Sequence, residues 1–218
     1  MYRQRNYVAM VLLLVLKVVL LIIIIMKVSD ESEGSDPSSQ KYDKRSVEPC
    51  VMMKDCPEKH VSFYIQSGAG PSVEPKICIQ NKLVLGSQLK NTGYGVNMVI
   101  LNGSTGEVSK ADHFTHNDEK QPLIDLLKTL EKGSVVLIAS YDNIASRLDD
   151  EARELIAELG SSSVLSLNTR DSWVFVGGKG AAAELTFEEH LKSDKKNNTY
   201  DNWPELVDLK GCIPDFLE

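Results

Sequence analysis

The sequence predicts an α+β domain, and three observations predict it. Strand-like segments punctuated by glycine turns open the domain. Two amphipathic helical segments with recognisable ends follow, each leading back into a buried strand-like run, and four cysteines lie beyond an N-terminal apolar segment. Helices that come after an initial β block read as α+β. With 218 residues the chain holds one globular domain plus a tail or anchor.

The N-terminus comes first. Arg3 and Arg5 precede an apolar run from Val8 to Met26 that only Lys17 interrupts. Residues 1–28 are therefore expected to act as a signal peptide or a signal anchor. Lys17 would cost roughly 2.5–3.5 kcal/mol at a bilayer centre, which places cleavage ahead of anchoring. Basic residues before the run and "SDESEGSD" after it put the rest of the chain in the lumen or outside the cell. Residues 29–48 carry hardly an apolar side chain and are expected to be a disordered linker. The domain is expected over 49–218.

Within it, "VSFYIQSGAG" reads as a strand ending in a glycine turn, and "PKICIQNKLVLG" as two short strands around Asn81-Lys82. "GVNMVILNGSTGEVSKADHF" is a hairpin with an Asn-Gly turn signal. "DEKQPLIDLLKTLEKG" places Leu123, Ile124, Leu127 and Leu130 at helical spacing behind an acidic first turn. "SVVLIASYD" is a buried strand. "LDDEARELIAELG" is a helix turning Leu148, Ala152, Leu155, Ile156 and Leu159 inward, with Gly160 as its stop. "SWVFVGG" is the next buried strand, "TFEEHLK" a short helix and "PELVDLKGC" a last extended segment.

The even cysteine count (Cys50, Cys56, Cys78, Cys212) in an oxidising compartment reads as two disulfides, in any of three connectivities. Their spacing is no metal-ligand set. Asn102 in "NGS" and Asn197 in "NNT" fit the N-glycosylation pattern. A formal charge of −7 argues against nucleic acid as a partner, because phosphate binding needs a basic face. Contact with a membrane is expected only through the N-terminal segment, if uncleaved.

Residues of several chemistries occur in the chain. "VGGKGAAAE" lacks the leading glycine and the hydroxyl of a phosphate-binding loop, so Gly177 and Gly178 are expected to serve backbone conformation or close approach. No activated serine or catalytic signature surrounds His60, His113, His116 or His190, so no catalytic residue is expected. His113 and His116 with Asp112 and Asp118 would make at best a weak metal site, and neither metal nor cofactor is expected. Asp142, Arg170 and Trp173 at strand ends combine a donor fork, paired acceptors and an apolar ring, which suits a shallow sugar or carboxylate site. The competing reading is an ordinary Asp–Arg ion pair with Trp173 in the core.

"CPEKH", "PKICIQNKLVLG", "GVNMVILNGSTGEV", "SYDNIASRLDDEARELIAELGSSS", "RDSWVFVGGKG" and "YDNWPELVDLKGCIP" together resemble the secreted family with sequence similarity 3. This is the interleukin-like EMT inducer and pancreatic-derived factor family, whose domain is called GG-type lectin. The match runs from Cys50 to Pro214. It implies a compact β-β-α globule of two antiparallel sheets flanked by short helices, with Cys50–Cys78 and Cys56–Cys212 disulfides. It also implies a secreted, cytokine-like signalling protein without catalysis that acts on epithelial or metabolic cells through a receptor or glycan.

The alternatives are a carbohydrate-binding lectin and a Golgi-retained type II membrane protein. In a related glycosyltransferase stem domain two arginines and an aspartate bind glycan. The aspartate falls on Asp142 and one arginine on Arg170, while the other arginine is replaced here by Tyr94. Gly177 and Gly178 are the family's signature turn, expected to hold Arg170 and Trp173 beside Asp142. Val176 stands where some relatives have a cysteine, so a monomer or non-covalent dimer is expected.

Overall fold

The computed structural model describes residues 16–22, 50, 56–115, 117–180 and 186–214. The chain divides into two units, Met1–Ser46 and Val47–Glu218. In the first, residues 16–22 are helical (α1). Among the described residues no helix is long and apolar enough to cross a membrane. The rest of the N-terminal apolar run, the 29–48 linker and His116 lie outside the described residues.

The second unit has two antiparallel sheets. The first contains β1 (His60–Gln66), β2 (Lys76–Ile79), β3 (Lys82–Leu85) and β9 (Asp208–Pro214), in the order β3-β2-β1-β9. The second contains β4 (Gly95–Asn102), β5 (Val108–Thr115), β6 (Ser134–Tyr141), β7 (Ser172–Gly178) and β8 (Phe187–Leu191), in the order β5-β4-β6-β7-β8. Helices α2 (Gln121–Lys128) and α3 (Asp150–Glu158) cover one face of the second sheet. Disulfides Cys50–Cys78 and Cys56–Cys212 are formed.

The period-two alternation of strand side chains explains why β4, β6 and β7 are almost wholly apolar. Val96, Met98, Ile100, Val136, Ile138, Trp173 and Phe175 pack with Leu123, Ile124 and Ile156 of the helices. Their neighbours Val99, Leu101, Val135, Leu137, Ala139, Val174 and Val176 pack with Phe63, Ile65 and Ile77 of the first sheet. The second sheet is therefore the middle of three layers, and its central strands need apolar residues on both faces.

Three local expectations are corrected. The acids of "DEKQ" do not form a helical first turn: α2 begins at Gln121 with Pro122 near its start, and Asp118 and Glu119 precede it. Their carbonyls are held by the buried guanidinium of Arg147, and the Asp118 carboxylate accepts the Thr115 N–H. "TFEEHLK" is not a helix but the edge strand β8, paired along β7 from Val176↔Phe187 to Ser172↔Leu191. Helix propensity loses here to tertiary contacts: Phe187 meets Phe63 edge-on at 5.1 Å, while Glu188 on the other face takes hydrogen bonds from Ser161, Ser162, Ser163 and Trp173.

The third concerns Gly177 and Gly178. Both are buried residues of β7 itself, and the turn comes after them, at Gly180 with φ +75°. A Cβ on Gly177 would stand 2.2 Å from Phe175 and 2.4 Å from the Leu159 carbonyl. Gly178 donates to that same carbonyl at 3.2 Å. Their role is close approach of β7 to the end of α3, at the opposite end of the strand from Arg170.

Candidate binding site at one end of the sheets

The C-terminal end of β6 and the residues before β4, β7 and β9 converge at one end of the sheets. Antiparallel pairing requires this, since Gly95 faces Tyr141 across β4 and β6. The loop after β1 joins them: the Gly68 N–H donates to the Ser140 carbonyl at 2.7 Å. Gly68 lies so close to Tyr141 that a Cβ there would be 2.3 Å from its ring.

Asp142 and Arg170 both hold left-handed backbone, with φ of 52° and 66°. That conformation costs a non-glycine residue on the order of 1 kcal/mol. Both charges come to one side chain that the sequence reading missed, Trp203. Its indole N–H donates to Asp142 Oδ1 at 2.9 Å, and the Arg170 guanidinium lies over its ring at 4.4 Å. The indole thus separates the two charges. Stacking of this kind contributes about 0.5–2 kcal/mol and fixes the orientation of the guanidinium.

Among the described residues the Arg170 N–H groups meet no protein acceptor and Asp142 Oδ2 meets no donor. The site therefore offers a positioned donor fork beside a half-used carboxylate, which can hold adjacent hydroxyls or a carboxylate of a ligand.

Tyr94 borders the same region. Its ring stacks on Tyr141 at 4.5 Å, and both hydroxyls donate to the Pro71 carbonyl, at 3.2 and 3.0 Å. Burial first, then the Tyr94 hydroxyl, raises the Tyr141 phenol well above its usual range. Tyr141 is therefore a fixed neutral support. Asp142 lines one cavity, and its partner Trp203 lines a second. One of about 380 Å³ is lined by Tyr94, Asp142, Asn143 and Ser146. The other, about 600 Å³, is lined by residues 69–73, Thr199, Tyr200, Asp201 and Trp203.

The remaining expected residues lie elsewhere. Trp173 is fully buried, with its indole N–H on Glu188 at 2.8 Å, and offers no face to a ligand. Burial by itself would raise the Glu188 pKa, but hydrogen bonds from Ser161, Ser162 and Trp173 outweigh it and leave the pKa lowered. His60 bonds the Glu58 carbonyl, His113 the Asn91 carbonyl and His190 the Asp171 carboxylate. Asp112 pairs with Lys110 at 3.3 Å. Among the described residues no cluster of three or more metal-ligating side chains forms.

The family model described as Interleukin-like EMT inducer matches residues 94–181, which include Tyr94, Asp142 and Arg170 and end before Trp203. Protein FAM3C of Rattus norvegicus is 46% identical over 175 residues, covering 78% of this chain and 77% of that protein. Protein FAM3C of Homo sapiens is 44% identical over 175 residues, with coverage of 78% and 77%. The chain belongs to the FAM3 family. Protein FAM3A of Mus musculus, 39% identical over 186 residues and covering 85% of this chain and 78% of that protein, extends the same relationship. The FAM3 membership agrees with the two antiparallel sheets, the flanking helices and the two disulfides, and it makes the chain one of a cytokine-like family.

Trp203 had a faint sequence signal. It stands between Asn202 and Pro204 in a polar turn, and proline favours extended backbone in the residue before it. Tyr200 and Trp203 form an isolated antiparallel bridge there, which carries the indole to Asp142, 61 residues away in sequence.

Proposed function

We propose that this FAM3 chain is a secreted, non-enzymatic signalling protein whose Asp142–Trp203–Arg170 cluster grips a glycan, in the manner of a GG-type lectin domain, on its target cell. One observation carries the reading: Arg170 is held by stacking on Trp203 while its donors are spent on no protein acceptor among the described residues. A guanidinium used only for stability would be expected to meet a carboxylate or carbonyl, as Arg147 and Arg153 do with backbone carbonyls. The interleukin-like name of the matching family supports the signalling role. The basic, apolar N-terminus supports entry to the secretory pathway.

The test is a glycan array probed with protein recovered from culture medium, alongside Asp142→Ala and Arg170→Ala. The expected result is a defined set of bound glycans that both substitutions weaken at least tenfold. A wild-type profile that stays flat both before and after enzymatic removal of the protein's own N-glycans rejects carbohydrate binding. Protein confined to membranes rejects secretion.

A further inference from the structure

The two sequon asparagines lie at opposite ends of the second sheet. Asn102 ends β4, the strand that starts beside Tyr94, about 25 Å away at the rise of a strand. Its Oδ1 accepts the N–H and Oγ–H of Ser104 and the N–H of Thr105. Asn197 lies at the binding end. It is exposed in a turn after β8, and that turn is organised by Asp194, whose carbonyl accepts the Asn197 and Asn198 N–H groups at 2.9 and 2.8 Å. Asp194 Oδ2 also accepts from Asn197 Nδ2 at 2.6 Å.

Two residues further on, Thr199, the hydroxyl residue of the triplet, and Tyr200 line the 600 Å³ cavity with Trp203. The intervening chain spans at most about 7 Å. Tyr200 is 55% exposed and Val73 on the facing loop is 40% exposed, so the cavity presents open apolar surface a few residues along the chain from the acceptor.

We propose that Asn197 is an N-glycosylation site whose own glycan lies over the Tyr200–Trp203 cavity and limits access to Arg170 and Asp142. The proposal rests on the secretory and carbohydrate-binding reading above and adds its regulation. In the transfer, Asn197 Nδ2 attacks C1 of the first sugar of a lipid-linked oligosaccharide diphosphate. The Nδ2–C1 bond forms, the C1–O bond to the lipid diphosphate breaks, that diphosphate leaves, and one Nδ2 proton passes to a base of the transferase. The substituted nitrogen keeps one N–H, so its bond to Asp194 can persist and direct the first sugar. Tyr200 and Trp203 then supply ring faces against which sugars of that glycan pack.

The chain has two tryptophans, Trp173 and Trp203, and Trp173 is fully buried, so fluorescence quenching by acrylamide reads Trp203. The full chain, Asn102→Gln and Asn197→Gln are expressed in secretory eukaryotic cells, weighed by mass spectrometry and titrated with acrylamide, with Trp203→Phe as the unquenched baseline. The expected result is loss of one glycan in Asn197→Gln and a quenching slope at least twofold steeper than wild type. An unchanged mass in secreted Asn197→Gln, or equal slopes, overturns the proposal. Loss of a glycan in Asn102→Gln but none in Asn197→Gln overturns this inference and leaves secretion standing. No glycan at either position and no protein in the medium overturns both. A steeper slope with blank arrays for wild type and Asn197→Gln alike removes the carbohydrate reading while the cover over the cavity stands.

Discussion

Arg170, Trp203 and Asp142 make separable contributions, because the indole offers a face to one charge and an N–H to the other. Trp203→Phe keeps a ring under Arg170 and deletes the donor to Asp142. It is expected to cost about 1 kcal/mol in urea unfolding, the size of one hydrogen bond, and to weaken glycan binding less than Trp203→Ala does. Equal loss in the two variants would mean that stacking does not organise the site. Tyr94→Arg places a second guanidinium beside Asp142 and is expected to raise array signals; unchanged signals would mean that the Tyr94 position does not contact ligand. Asp142 and Arg170 could be read from the sequence as a polar pair at strand ends, but their shared partner could not. Trp173, inside an apolar run, lies in the core as the competing reading had it, and Trp203, in a polar turn, takes the place at the charges that the site reading gave to Trp173. The central layer needs its ring inside, and the turn brings the other ring to the charges.

At the scale of elements, the apolar runs identified β6 and β7 as buried strands, and helical periodicity identified the inward residues of α2 and α3, because those patterns follow from packing. It misread β8, where five residues with two glutamates carry good helix propensity and the deciding contacts come from Phe63, Ser161 and Trp173, far off in sequence. Glu188 ties that edge strand to the loop after α3. Its folded pKa is lowered, so it adds stability above the unfolded carboxylate range, and that contribution is lost as pH falls through the folded value. Glu188→Gln should therefore be less stable than wild type at pH 7, by about 1–2 kcal/mol, with the gap narrowing below about pH 4. Urea midpoints across pH 3–7 check this, and a gap that widens toward acid would contradict it. Gly177→Ala forces a methyl against Phe175 and the Leu159 carbonyl. Its expected cost is about 1–3 kcal/mol in thermal unfolding, with glycan binding retained because the site is at the other end of β7.

For the whole molecule, the disulfides act on loops of very different length. Cys56–Cys212 spans 156 residues and Cys50–Cys78 spans 28. On the chain-entropy account the longer loop contributes about 5 kcal/mol and the shorter about 3.5. Replacing each pair by serine should therefore lower the unfolding temperature more for Cys56/Cys212, and the reverse order would show that local packing at β2 outweighs loop closure. The α+β class was legible in the order of strand and helix signals, whereas the three-layer arrangement was not, because a central strand and an ordinary buried strand share one apolar pattern. The convergence of loops at one end depends on strand order, which no single segment encodes. The account's central claim is that a glycan binds there, against Trp203 rather than Trp173. Two-dimensional NMR of the two indole N–H groups tests it, using the deglycosylated chain and the strongest array glycan. The account predicts that the Trp203 resonance shifts in proportion to saturation while the Trp173 resonance stays in place; a bound glycan that leaves the Trp203 resonance unmoved would contradict it.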